Sequence, residues 1–169
     1  MSNVTTIDFL ARFTGSDHFQ RVFKEGMGLV EETANYLDGP GRADVRELDR
    51  NGAVAYATES MRLTTRLMQL ASWLLLQRAV GSGEMSSADA SSEKHRISLA
   101  DIGQGNTLSG AEQLPEALNN LINRSLALHL KVQKLDEMMN TKAEPEGAAP
   151  SAVGEQLARL VSAFKSARG

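Results

Sequence analysis

Apolar residues recur along this chain at alternating steps of three and four, the period of helices that bury one face. The stretch from Ser16 to Arg42 shows this most clearly. Phe19, Val22, Phe23, Met27, Leu29, Val30, Ala34, Tyr36 and Leu37 share one face; Arg21, Lys24, Glu25, Glu31, Glu32 and Asn35 share the other. Ser16 is placed to cap the N-terminus, because its hydroxyl can accept from an orphan backbone N–H. Asp38-Gly39-Pro40-Gly41 then stops the helix: glycine admits positive φ and proline cannot continue the hydrogen-bond ladder.

Two further long helices are expected, from about Asp44 to Val80 and from about Leu114 to Asn140. At the rise of an α-helix the three span roughly 33, 55 and 40 Å, so the second overhangs its neighbours or bends. Asn51-Gly52 is its weakest point, since glycine inside a helix costs about 1 kcal/mol. The arc running from Leu70 round to Met61 holds Leu63, Thr64, Leu67, Met68, Ala71, Leu74 and Leu75 and takes in about half the circumference, enough to cover two neighbours. Leu114, Leu118, Leu121, Ser125, Leu128, Val132, Leu135 and Met139 form one line on the third helix. The fold class these patterns predict is all-α: an antiparallel three-helix bundle over residues 1–140, with a long loop at 81–113 between helices 2 and 3 and a flexible C-terminal tail at 141–169.

The loop opens with GSGEMSSADASSEK, small and polar enough to be mobile, and RISLADI pins it back through Ile97, Leu99 and Ile102. After Asn140, TKAEPEGAAPSAVG has nothing to bury and acts as a linker. Leu157, Leu160, Val161 and Phe164 then return at helical spacing with Arg159, Lys165 and Arg168 around them. A helix of about a dozen residues is unstable alone in water. The segment therefore folds into a partner's groove, docks on its own bundle, or frays; the first of these makes its four apolar residues partner-binding.

Some apolar surface is left over. Trp73 and Leu76 lie outside the arc of the second helix, among Arg62, Arg66, Gln69 and Gln77. A tryptophan there anchors an interface well, because one ring buries much area at small entropy cost. Cover by the chain itself, self-association and a foreign partner all remain open for Trp73, and Arg62 and Arg66 beside it form a candidate contact for an acidic partner. Met68 and Leu75, with Leu126 and Leu130 off the line of the third helix, are the candidates for a dimer interface. For Leu126 and Leu130 the alternative is packing under the loop.

Composition narrows the function. A net charge of −3 disfavours nucleic acid, which selects a basic footprint. The absence of cysteine excludes disulfides and thiolate metal sites and fits a reducing cytosol. No run reaches the length of a membrane span and no signal peptide is evident. His18, His95 and His129 lack metal-ligand spacing, Gly103-Gln-Gly105 lacks the third glycine of a dinucleotide fingerprint, and there is neither a phosphate loop nor a Gly-x-Ser-x-Gly elbow. No catalytic residue, cofactor or metal is expected. His129, beside the apolar line of the third helix, is the one residue that suggests an alternative, a phosphotransfer bundle; but His-x-x-Lys-Gly is not met, since Leu130, Lys131, Val132 and Gln133 follow it.

Four segments, FLARFTGSDHFQRVFKEGMGLVEETANYLDGPGR, ESMRLTTRLMQLASWLLLQRAV, HRISLADI and the leucine-rich third helix, together resemble the RcdA-like family, regulators of CtrA degradation that act as adaptors for the ClpXP protease. The resemblance covers most of the chain but rests on extent rather than on a short motif, so no binding residue is carried over. It implies a cytoplasmic, dimeric three-helix bundle with a disordered C-terminus, with recruitment to the cell pole open. Its implied partners are the ClpX unfoldase of ClpXP, a single-domain response regulator that primes it, a cyclic-di-GMP-binding effector, cell-cycle transcription regulators as cargo, and a second copy of itself. Neither nucleic acid nor membrane is among them.

Overall fold

The computed structural model describes residues 11–94 and 107–143, with backbone alone at 87, 91, 94 and 140–143. Helix and turns make up the described residues, with no strand among them. A helical turn over residues 11–14 leads into α1, Asp17–Asp38, followed by α2, Pro40–Arg46; α3, Arg50–Gly81; α4, Ser87–Lys94; a 3-10 turn, Ala111–Gln113; and α5, Glu116–Ala143.

α1 starts and stops where its signals lie, although Gly39 takes φ −116° rather than the positive φ expected of it. Ser16 accepts from the backbone N–H of Phe19 at 3.2 Å, and Pro40 opens the next helix at its first position, where its missing N–H costs nothing. The expected single helix from Asp44 is two. α2 ends at Arg46, and Asp49 caps α3 by accepting from Gly52 N–H at 2.9 Å. Gly52 thus sits in the first turn rather than mid-helix, where its lack of a side chain is cheap, and it lies buried against Gln113. Tyr36 closes the short α2 against α1 by donating its phenol to Asp44 Oδ2 at 2.8 Å.

The three long helices pack on one another around Phe19, Leu29, Leu63, Leu70, Leu74, Leu118, Leu128 and Val132, all fully buried. At Gly26 α1 lies tight against α3: a Cβ there would meet Leu74 Cδ1 at 2.7 Å. Their directions differ from the antiparallel bundle expected. α1 does run against α5, since Lys131 meets Glu25 and Arg124 meets Glu32. It also runs against α3, with Gly26 on Leu74 and Gly81 on Thr14. But α3 and α5 are parallel: Asp49 meets Gln113, Arg66 meets Ser125 and Trp73 meets Asp136, numbers rising together. The chain must therefore return along the whole of α3, roughly 48 Å for 32 residues. That is the physical reason for the long connection, which a short turn could not replace.

The connection is not merely a polar loop. SADASSEK forms α4 and packs on α3. Just before α5, Gly110 takes φ +87°, and a Cβ there would strike the backbone of Asn51 and Gly52. Only glycine permits this close seat at the N-terminus of α3. RISLADI and His95 lie outside the described residues, as do the linker from residue 144 and the tail residues Leu157, Leu160, Val161 and Phe164.

A candidate interaction surface on the long helix

The parallel α3–α5 contact is a mixed seam of apolar and polar side chains. Trp73 is fully buried, and its Nε1 donates to Asp136 Oδ1 at 3.0 Å. Arg66 is 2% exposed and donates from Nη1 to Ser125 Oγ at 2.7 Å; Ser125 in turn donates to Ile122 O. Gln77 and His129 are buried as well. This corrects the partner-binding reading of Trp73 and Arg66. The face that looked polar on a wheel is covered by the chain itself, with α5 lying against Trp73 and Arg66. A tryptophan and an arginine go inside here because each finds an acceptor there. Arg62 stays near the surface, held to Glu59 one turn back at 2.7 Å.

His129 is shut inside the protein. A phosphoryl donor cannot reach a ring buried to this degree, so the phosphotransfer alternative loses its nucleophile. His18 is exposed on the first turn of α1. Among the described residues no three His, Cys, Asp or Glu come together as a metal site.

With its other faces spent on α1 and α5, α3 leaves one line outside. Val54, Met61, Met68 and Leu75 are 58, 71, 66 and 51% exposed, spaced seven residues apart. Two of the four, Met68 and Leu75, belong to the dimer candidates; Val54 and Met61 do not. Their signal was the strict period of seven, which is the seam of a helix pair rather than the stripe of a helix on a globular core. Methionine suits such a face, since its flexible thioether adapts to irregular partners. On α5, Leu130 is exposed together with Met138, while Leu126 is half-buried.

Beside the stripe, α1 and α3 enclose a groove of about 280 Å³ lined by Val30, Thr33, Ala34, Leu37, Leu67, Met68 and Ala71, with Asp38 at its edge and Thr64 opposite. The lining is apolar except at Thr33, Thr64 and Asp38, and the buried Thr33 hydroxyl has no hydrogen-bond partner. Elsewhere charge ties helices together. Arg124 grips Glu32 with two donors at 2.8 Å each, and this hydrogen bonding, with the charge behind it, holds the Glu32 carboxyl below its usual value. At the far end, burial and then Asp44 push the Tyr36 phenol well above its ordinary range. No described helix is long and apolar enough to cross a membrane.

Fold and surface together describe a helical scaffold whose distinctive feature is an apolar line left exposed among the described residues. The chain belongs to the RcdA-like family: residues 10–164 match the family described as "Protein of unknown function (DUF1465)". It is similar to the crystal structure of RcdA from Caulobacter crescentus CB15, with 52% sequence identity over 73% of this chain and 92% of that one, and a TM-score of 0.59. No curated protein matches it.

Proposed function

We propose that this protein is a non-catalytic proteolytic adaptor that tethers cell-cycle regulator cargo to the ClpXP protease together with a response-regulator partner. The observation that carries this reading is the 52% identity to RcdA across 92% of that chain. The α3 line supports it, because an adaptor works through surfaces and this one exposes four large apolar residues on a rigid helix. Delivery of this kind lowers the apparent KM of the protease for its cargo by proximity, with no new bond made. In this reading the bundle, residues 1–140, self-associates and receives the primed response regulator, ClpX and a cyclic-di-GMP-binding effector, all in the cytoplasm and with recruitment to the pole. Residues 141–169 hold a partner at the end of a linker, which raises its effective concentration.

Reconstituted proteolysis tests the reading. A fluorescent cell-cycle regulator is incubated with ClpXP, ATP and the primed response regulator, with and without this protein. Acceleration that requires both this protein and the response regulator is expected. No acceleration with any of several cargoes, while the protein remains folded, would overturn it.

A further inference from the structure

The groove between α1 and α3 and the segment around residues 155–165 match each other in length, polarity and reach. Val30 to Leu37 lines the groove over seven residues, about 10 Å of helix. Leu157, Leu160, Val161 and Phe164 span the same seven residues, on one face if that segment is helical. The groove is apolar within, while α1 carries Asp38 at its edge and the exposed Glu31 one turn before Asn35. Asp38 is itself paired with Arg42 at 3.6 Å, as Glu25 is with Lys131 and Glu32 with Arg124. The segment itself carries Glu155 at its start with Arg159 and Lys165 after it, and Arg168 follows, so its balance is net basic. The net basic balance of the segment is opposite in sign to the exposed Glu31 of α1.

Reach is also satisfied. α5 ends at Ala143, beside the C-terminal end of its parallel neighbour α3. The middle of the groove, at Leu67 to Ala71, lies about 15–20 Å back along α3. Residues 144–156 form a Gly/Ala/Pro/Glu-rich linker whose mean span as a flexible coil is about 20 Å and whose limit is above 40 Å. A short amphipathic helix that is unstable alone gains its fold by burying its apolar face.

We infer that residues 155–165 of this chain dock as an amphipathic helix into the α1–α3 groove of the same molecule. The seated segment packs against Met68, the one residue of the α3 line that lines the groove, and leaves Met61 and Leu75 outside it. The contact makes the tail a built-in competitor for the protein's own apolar surface.

The full-length chain tests this directly. It has no cysteine, so Ser166→Cys takes a single nitroxide label on the polar side of the segment. In a nitrogen-15-labelled sample the expected result is broadening of amide signals from Val30 to Asp38 and from Thr64 to Ala71, restored when the nitroxide is reduced. Phe164→Asp should abolish the broadening without disturbing the other bundle signals. Absence of broadening at the groove, or broadening that persists in Phe164→Asp, overturns the assignment. So does broadening found only when the nitroxide and the isotope are on different chains, which would place a second copy's tail there. No protease takes part, so failure here leaves the adaptor reading to stand or fall on its own assay.

Discussion

Trp73 donates its indole N–H to Asp136 across the α3–α5 seam, at 3.0 Å and with the ring fully buried. It is the chain's single tryptophan, so its fluorescence reports this one contact. Removing the acceptor while keeping the ring leaves a buried donor without its Asp136 partner, which costs about 1–3 kcal/mol. Asp136→Ala should therefore lower unfolding stability by that amount in urea titrations followed by Trp73 emission. Unchanged stability would mean that the indole is not held through Asp136.

Arg66 makes a second, different prediction for the same seam. Its guanidinium is nearly without exposure and meets Ser125. Arg66→Ala opens a cavity and removes a polar partner, for a loss of about 3–5 kcal/mol. Arg66→Met restores most of the volume without the buried charge, so it should fall well short of that loss. Chemical denaturation of both variants checks the order. If Met is as damaging as Ala, the charge itself rather than the packing holds the helices in register.

These two residues also show how far the sequence could be followed. The helix ends were legible wherever a local signal existed, as with Ser16 and Pro40. The cap at Asp49 is hidden in the sequence, because Val45 and Leu48 before it continue the helical spacing and mask the break. Trp73 and Arg66 were placed on a polar surface, because a wheel assumes that polar faces meet water. Whether α5 lies there depends on its direction, and direction is set by a long connection that carries no periodic signal. The line at Val54, Met61, Met68 and Leu75 was readable in principle, but it merged into an arc covering half the helix.

Glu32 gives the pH dependence of the α1–α5 contact. Arg124's two hydrogen bonds lower the folded carboxyl below its ordinary value of 4.5. A group depressed in this way contributes fully above that ordinary value and loses its contribution as pH falls through the lowered folded one. Both side chains are about half exposed, so water screens the pair and it contributes less than about 1 kcal/mol. Stability profiles of the wild type and Glu32→Gln should run apart near neutral pH and converge as pH falls through the lowered folded value. A gap that persists in acid would assign the effect to packing rather than charge.

The α3 line yields the prediction on self-association. Met61 and Leu75 lie a turn or more on either side of the groove-lining Met68, and both are exposed. In a two-fold interface the same patch meets itself, so one substitution acts twice. Met61→Asp with Leu75→Asp places carboxylates against apolar neighbours and against their own copies. Because neither residue supports the core, the folded monomer should keep its stability to within about 0.5 kcal/mol. Sedimentation should show the proposed dimer shifted toward monomer. The same double substitution at Leu130 and Met138 on α5 is the matched control, and it should leave the dimer intact. The reverse result, with the α5 variant monomeric and the α3 variant dimeric, would move the interface to α5 and free the α3 line for a different protein.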